Sequence, residues 1–284
     1  MKKLVSVAVV ALACSAGAAG AQTAMERGTY LVRGIVGCGN CHTPQGPEGP
    51  VAGMEFAGQK VIEEPAFIAY APNITPDPET GIGHYTRDDL KRAIREGKRP
   101  DGTIIGPPMP IGLYRGLSDN DLDAIVTYVM SVAPVRNVVP KSEYRIPLPP
   151  NYGPPVSGVA DVERSDKVAY GKYMAFSLGH CVECHTPPGP NGVPDFAGQL
   201  GAGGFEFEGP WGLSISANIT PHADGIAHYT DAELKKIIQT GIRPDGTHLL
   251  PPMGVSYYAT INDEDMGALV AYLRTMEPKP FGGK

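Results

Sequence analysis

Cysteine is scarce in this 284-residue chain, and the five present leave nothing for a structural disulfide. Cys14 lies near the N terminus, and the other four fall in two pentapeptides, so no spare pair remains to staple the fold. Basic residues are also in deficit. The 24 Lys and Arg stand against 30 Asp and Glu, for a formal net charge of −6. That balance argues against nucleic acid as a partner and favours a docking partner with a basic face. Leu4 to Ala13 is apolar but too short to span a bilayer, and no later run is long and apolar enough to suggest a membrane span. No convincing run of alternating apolar and polar residues reads as strand.

The N-terminal segment reads as an export signal over residues 1–21. Lys2 and Lys3 supply the charged start, Leu4 to Ala13 the apolar stretch, and Ala19-Gly20-Ala21 the small-residue cleavage site before Gln22. Lipidation of Cys14 is a competing reading, but Ala11-Leu12-Ala13 matches the usual Leu-led box poorly. Cleavage would remove two lysines and no acid, leaving 22 basic against 30 acidic residues, or −8.

What the chain does contain is one pattern twice: Cys38-Gly39-Asn40-Cys41-His42 and Cys181-Val182-Glu183-Cys184-His185. With five Cys and seven His in the chain, random placement would produce Cys-x-x-Cys-His roughly 0.002 times, so the repetition is informative. The pattern is the attachment signature of c-type haem: two thiols bond the porphyrin and the adjacent imidazole takes one axial position on the iron. A four-cysteine zinc site would leave both histidines unexplained, and the pairs are 143 residues apart, far beyond ordinary zinc spacing. A thiol redox motif explains the histidines no better. With 36 glycines and 29 prolines the chain is loop-rich, and two haem c groups would supply the apolar core that such a composition lacks.

A shift of about 144 residues superimposes the two halves. Gly28-Thr29-Tyr30-Leu31 matches Gly171-Lys172-Tyr173-Met174, and Asn73-Ile74-Thr75-Pro76 matches Asn218-Ile219-Thr220-Pro221. Arg99-Pro100-Asp101-Gly102-Thr103 matches Arg243-Pro244-Asp245-Gly246-Thr247, and Pro107-Pro108-Met109 matches Pro251-Pro252-Met253. Two haem domains are expected, over 22–139 and 161–284, joined by a proline-rich linker over 140–160. Met25 to Val36 and Asp166 to Leu178 read as helices entering the motifs. Thr86 to Asp89 and Thr230 to Glu233 resemble capping boxes for helices that stop at Gly97 and Gly241. Ser118 and Asn262 can cap an amphipathic last helix in each half.

Met109 and Met253 are the leading candidates for the second axial position. They lie 67 and 68 residues after His42 and His185, on proline-stiffened loops before the last helix. His84 and His228 are also paired and compete with them; bis-histidine iron would have a lower potential. Arg99 and Arg243 could pair with haem propionates or stand as exposed turn residues. Asn73 and Asn218 head loops expected to fold over the haem edge. Tyr30, Tyr173 and Trp211 read as haem-packing or core aromatics, and His180, His222 and His248 as surface or supporting histidines.

These segments together resemble the dihaem c-type cytochromes, in particular the cytochrome c subunits of bacterial periplasmic alcohol, aldehyde and sugar-acid dehydrogenases. The resemblance covers nearly all of the chain beyond residue 21. It implies a mainly α fold of two tandem class I cytochrome c-like domains, each wrapped around one covalently bound haem. It implies an electron carrier rather than an enzyme. A periplasmic or membrane-associated dehydrogenase (flavin, molybdenum or quinoprotein) would be the donor, and a quinone, another cytochrome or an oxidase the acceptor. Many relatives carry three haems and some a C-terminal anchor, whereas this chain has two motifs. The rival class is a dihaem enzyme such as a peroxidase or sulfur-compound oxidase. The first needs an openable iron where both halves carry Pro-Pro-Met, and the second needs a spare cysteine.

Overall fold

The computed structural model describes residues 22–190 and 192–283, so the expected export signal at 1–21, with Cys14, lies outside the described residues. In the first half, α1 (Ala24–Arg33) opens at a capping box. Thr23 Oγ1 accepts from the Glu26 N–H at 3.2 Å and the Glu26 carboxylate accepts from the Thr23 N–H at 2.9 Å. It runs into the short α2 (Cys38–His42). The two-residue strands β1 (Gln45–Gly46) and β2 (Gly49–Pro50) follow, then the hairpin β3 (Gln59–Glu64) and β4 (Phe67–Ala71). Next come α3 (Arg87–Glu96), α4 (Ile111–Tyr114) and α5 (Asp119–Val129). The predicted caps at Thr86 and Ser118 and the stop at Gly97 are all present. Within the proline-rich 140–160 segment, β5 (Glu143–Tyr144) returns to pair with β4.

The second half repeats the order. α6 (Lys167–Tyr173) continues through a π-helical turn, Met174–Leu178, into α7 (Cys181–Cys184). The hairpin β6 (Glu206–Gly209) and β7 (Gly212–Ile215) precedes α8 (Asp231–Thr240), α9 (Val255–Tyr258) and α10 (Asp263–Thr275). Thr230, Gly241 and Asn262 cap as predicted.

The expectation of a mainly α fold of two tandem domains is corrected. Only 33% of the described residues are helical and 12% lie in strands or bridges. The strands escaped notice because they are short and lie on the surface. β3 reads Gln-Lys-Val-Ile-Glu-Glu with no fully buried side chain, so no alternating pattern is imposed on it. Nor do the halves stand apart. Leu31, Ile35, Leu122 and Ile125 of the first half share one buried cluster with Tyr170, Met174, Leu178 and Met266 of the second.

Within each half the first and last helices cross at a glycine. A Cβ on Gly28 would overlap the Ala124 carbonyl oxygen, and one on Gly171 would overlap that of Ala268, so only hydrogen allows this approach. Across the halves, two tyrosines exchange places. Tyr30 on α1 donates its hydroxyl to Asp265 at 2.8 Å and accepts from the Asn262 N–H at 3.2 Å. Its repeat partner Tyr173 donates to Asp121 at 2.9 Å and accepts from the Ser118 N–H at 3.1 Å. Arg27 and Arg164 complete the cluster as ion pairs with Asp121 at 2.7 Å and Asp265 at 2.6 Å. Burial first, then the facing carboxylate, hold both phenols well above their usual pKa. Tyr30 and Tyr173, read as haem-packing or core aromatics, do belong to the core, and their hydroxyls are in addition reciprocal cross-links. Tyr30→Phe and Tyr173→Phe are each expected to lower stability by about 2 kcal/mol, because a buried carboxylate loses a donor. Denaturant unfolding of the single variants measures this.

Candidate haem sites

Each motif folds as a single turn entered through left-handed backbone. Gly37, at φ 57°, starts α2, and His180, at φ 39°, starts α7. The turn sets the two thiols and the imidazole of one motif side by side. His42 Nδ1 lies 2.8 Å from the Pro72 carbonyl oxygen, and His185 Nδ1 lies 2.7 Å from that of Ala217. A carbonyl can only accept, so Nδ1 carries the proton and Nε2 keeps its lone pair for a metal. Burial holds both imidazoles below their ordinary pKa, which favours the neutral form that ligation requires.

All four cysteines are free. Burial pushes the thiols up, Cys38 and Cys184 to about 12 and Cys41 and Cys181 to about 11. Glu183 adds to the shift on Cys41, and Glu183, Cys181 and Cys41 add to that on Cys184. The two motifs are therefore neighbours across the junction of the halves, which their separation in the chain did not disclose. Among the described residues, no group of three or more Cys, His, Asp and Glu is placed to hold a bare metal ion, and the zinc alternative finds no site.

The Asn-Ile-Thr-Pro loops are tied down by their own asparagines. Asn73 is buried; its Oδ1 accepts from the Thr75 N–H at 2.9 Å and its Nδ2 donates to the Val135 carbonyl at 2.6 Å. Asn218 repeats this with Thr220 at 2.8 Å and Lys279 at 2.7 Å. Each asparagine thus ties its loop to the strand of chain after the last helix. The residue just before it, Pro72 or Ala217, is then held where its carbonyl meets the histidine. These carbonyls were missed in the sequence, although both immediately precede the repeated tetrapeptide.

Met109 is half-buried against the core and Met253 is half-buried. Their loops run directly into α4 and α9, where Tyr114 and Tyr258 are held far above the ordinary phenol pKa by burial and by adjoining thiols. For Tyr114 the thiols are Cys38 and Cys41; for Tyr258 they are Cys181, Cys184 and Cys41. The short helix after each methionine segment thus lies at the junction of the two motifs: Tyr114 also meets the His180 ring, and the Tyr257 hydroxyl stands 2.7 Å from where a Cβ on Gly39 would be. Tyr114 and Tyr258 also went unremarked, though they occupy matching positions. His84 and His228 are exposed, the latter against the Tyr229 ring. Arg99 Nη1 donates to the Ile104 carbonyl at 3.1 Å and Arg243 Nη1 to Thr247 Oγ1 at 3.2 Å, closing their own turns. Trp211 is 39% exposed and belongs to neither core nor site. His180 packs edge-on to Tyr114, His222 accepts from the Asp224 N–H, and His248 is exposed.

The donor set fits a covalently attached haem: two thiols and a neutral imidazole oriented by a carbonyl in each motif, with a half-buried thioether on the loop before α4 or α9. Residues 168–277 match the family described as Cytochrome c. The chain is similar to cytochrome c subunits of dehydrogenases and to a dihaem cytochrome. The chain is 33% identical to "Alcohol dehydrogenase (quinone), cytochrome c subunit" of Gluconobacter oxydans over 97% of its own length and 60% of that protein. It is 30% identical to "Gluconate 2-dehydrogenase cytochrome c subunit" of Pantoea cypripedii, over 90% of its own length and again 60% of the relative. "Diheme cytochrome c-type" of Cereibacter sphaeroides is 26% identical, with 84% of this chain and 81% of that protein covered. The chain spans less than two thirds of the dehydrogenase subunits it matches.

Asn218→Ala is expected to cost about 3 kcal/mol, since it strands the Thr220 N–H and the Lys279 carbonyl in the interior. The unfolding midpoint of the variant measures the loss.

Proposed function

We propose that this chain is a periplasmic dihaem c-type cytochrome that carries electrons from a dehydrogenase partner to a respiratory acceptor. Cys38 and Cys41 would hold one haem c and Cys181 and Cys184 the other. His42 and Met109 would be the axial residues of the first iron, His185 and Met253 of the second. A haem bound in this way supplies reversible one-electron chemistry. The protein's own contribution is to fill both axial positions, so that no substrate needs a place at the metal.

The observation that carries this reading is the duplicated motif with each histidine oriented through Nδ1 by a backbone carbonyl. Two further findings support it. His84 and His228 are exposed, whereas Met109 and Met253 are half-buried, which favours the methionines. The two motifs adjoin, which suits passage of electrons between halves. Export to the periplasm, in soluble form or attached to the inner membrane through a partner, follows from the signal read at residues 1–21. Among the described residues, no helix is long and apolar enough to cross a membrane.

Mass spectrometry of the exported protein is expected to show two haem additions, and Cys38→Ala to lose one while the second half keeps its own. In optical and paramagnetic resonance spectra, Met109→Ala and Met253→Ala should each turn one iron high-spin and shift its potential. Spectra identical to wild type in both variants would remove the methionines as ligands.

A further inference from the structure

The two surface hairpins are built alike but finished differently. In the first half β5 joins the outer edge of β4, with Phe67 opposite Tyr144 and Ile68 opposite Glu143. Ser142 Oγ accepts from the Tyr70 N–H at 2.9 Å, and the Arg145 N–H donates to the Ala66 carbonyl at 2.9 Å. Ile68 and Tyr70 are thereby half-buried. The same segment covers the loop before Met109. The Tyr144 hydroxyl donates to the Pro107 carbonyl at 2.9 Å, and Tyr144 and Leu148 lie over Gly106 too closely to admit a Cβ.

In the second half the sheet stops at two strands among the described residues. Leu213 and Ile215 occupy the places of Ile68 and Tyr70 and are 51% and 49% exposed. Leu250 stands where Gly106 stands and is 45% exposed. An unpaired edge bearing apolar side chains is normally covered, because it invites pairing with any other strand. The charges differ as well. Glu206 and Glu208 lie opposite Ile215 and Leu213, so they share that face, and neither has a basic partner among the described residues. Their first-half counterparts, Lys60 and Glu63, neutralise each other at 2.9 Å.

We propose that the outer edge of β7 receives one extended strand from a partner protein, carrying apolar and basic side chains, in the way that β4 receives β5. Backbone pairing supplies the docking, Leu213, Ile215 and Leu250 take the apolar side chains, and Glu206 and Glu208 select lysine or arginine. By analogy with the first half the strand lies beside the Met253 loop. Its value as an electron port rests on the proposed ligation by Met253; the docking itself does not.

The test uses the haem-loaded protein and a short end-blocked peptide repeating Val-Val-Lys-Lys, which sets both residue types on each face of a strand. Hydrogen exchange over residues 212–216 should slow on binding. Affinity should fall at least about tenfold in Leu213→Glu/Ile215→Glu, and in wild type with the matching Val-Val-Glu-Glu peptide. Should the double variant lose its native haem spectrum, Glu206→Gln/Glu208→Gln provides the same test, with binding weakened and its salt dependence reduced. Absence of protection, or equal binding of the two peptides, overturns the proposal. Self-association by sedimentation that the variants abolish assigns the edge to a second copy and overturns it as well. The carrier reading is judged separately, by the haem content and spectra of the wild-type protein, on which peptide binding has no bearing.

Discussion

The arrangement of the molecule depends on a reciprocal exchange of phenols between its halves. Each of Tyr30 and Tyr173 reaches out of its own half to a carboxylate and a capping N–H at the start of the other half's last helix. The carboxylates would be costly to bury alone. Arg27 and Arg164 supply the opposing charge, and the hydroxyls satisfy further oxygen lone pairs. The glycine crossings at Gly28 and Gly171 bring the helices close enough for this geometry to close. Because the exchange is two-fold, it fixes orientation as well as attachment. A single bond would leave a hinge, whereas two related ones define how one half faces the other.

That constraint reaches the motifs. α2 and α7 follow α1 and α6 with only a few residues between, so locking the first helices brings Cys41, Glu183 and Cys184 to one junction. Tyr114 and Tyr258 are buried beside the thiols, and Tyr114 meets the His180 ring across the junction. The buried asparagines act from the other side, holding the carbonyls that orient the imidazoles. Each site is thus positioned by one contact inherited from the repeat and one created by pairing the repeats.

Duplication did not leave the halves identical. The 140–160 segment is more than a connector: β5, Tyr144, Leu148 and Tyr152 wrap the first half, Tyr152 donating to the Ile105 carbonyl at 2.8 Å. The matching face of the second half keeps exposed Leu213, Ile215 and Leu250. His180 replaces Gly37 in left-handed backbone, a conformation that histidine tolerates, and its ring meets Tyr114 across the junction.

Local chemistry was legible in the linear order because it needs only spacing. The Cys-x-x-Cys-His motifs, the caps at Thr86, Thr230, Ser118 and Asn262 and the stops at Gly97 and Gly241 all act within a few residues of themselves. The repeat was legible for the same reason. The surface strands were not: β3 has no buried side chain, and in β4, Phe-Ile-Ala-Tyr-Ala, the buried residues are alanines among larger apolar ones, so neither shows an apolar and polar alternation. Asn73 and Asn218 looked like loop residues, and Tyr30 and Tyr173 like packing residues, because their partners lie 62, 61, 235 and 52 positions away. The sequence by itself marked two matching sets of side chains as candidates to hold a cofactor. Only the tertiary structure decided that the two sets adjoin, because that depends on contacts between residues brought together by packing, which no local pattern encodes.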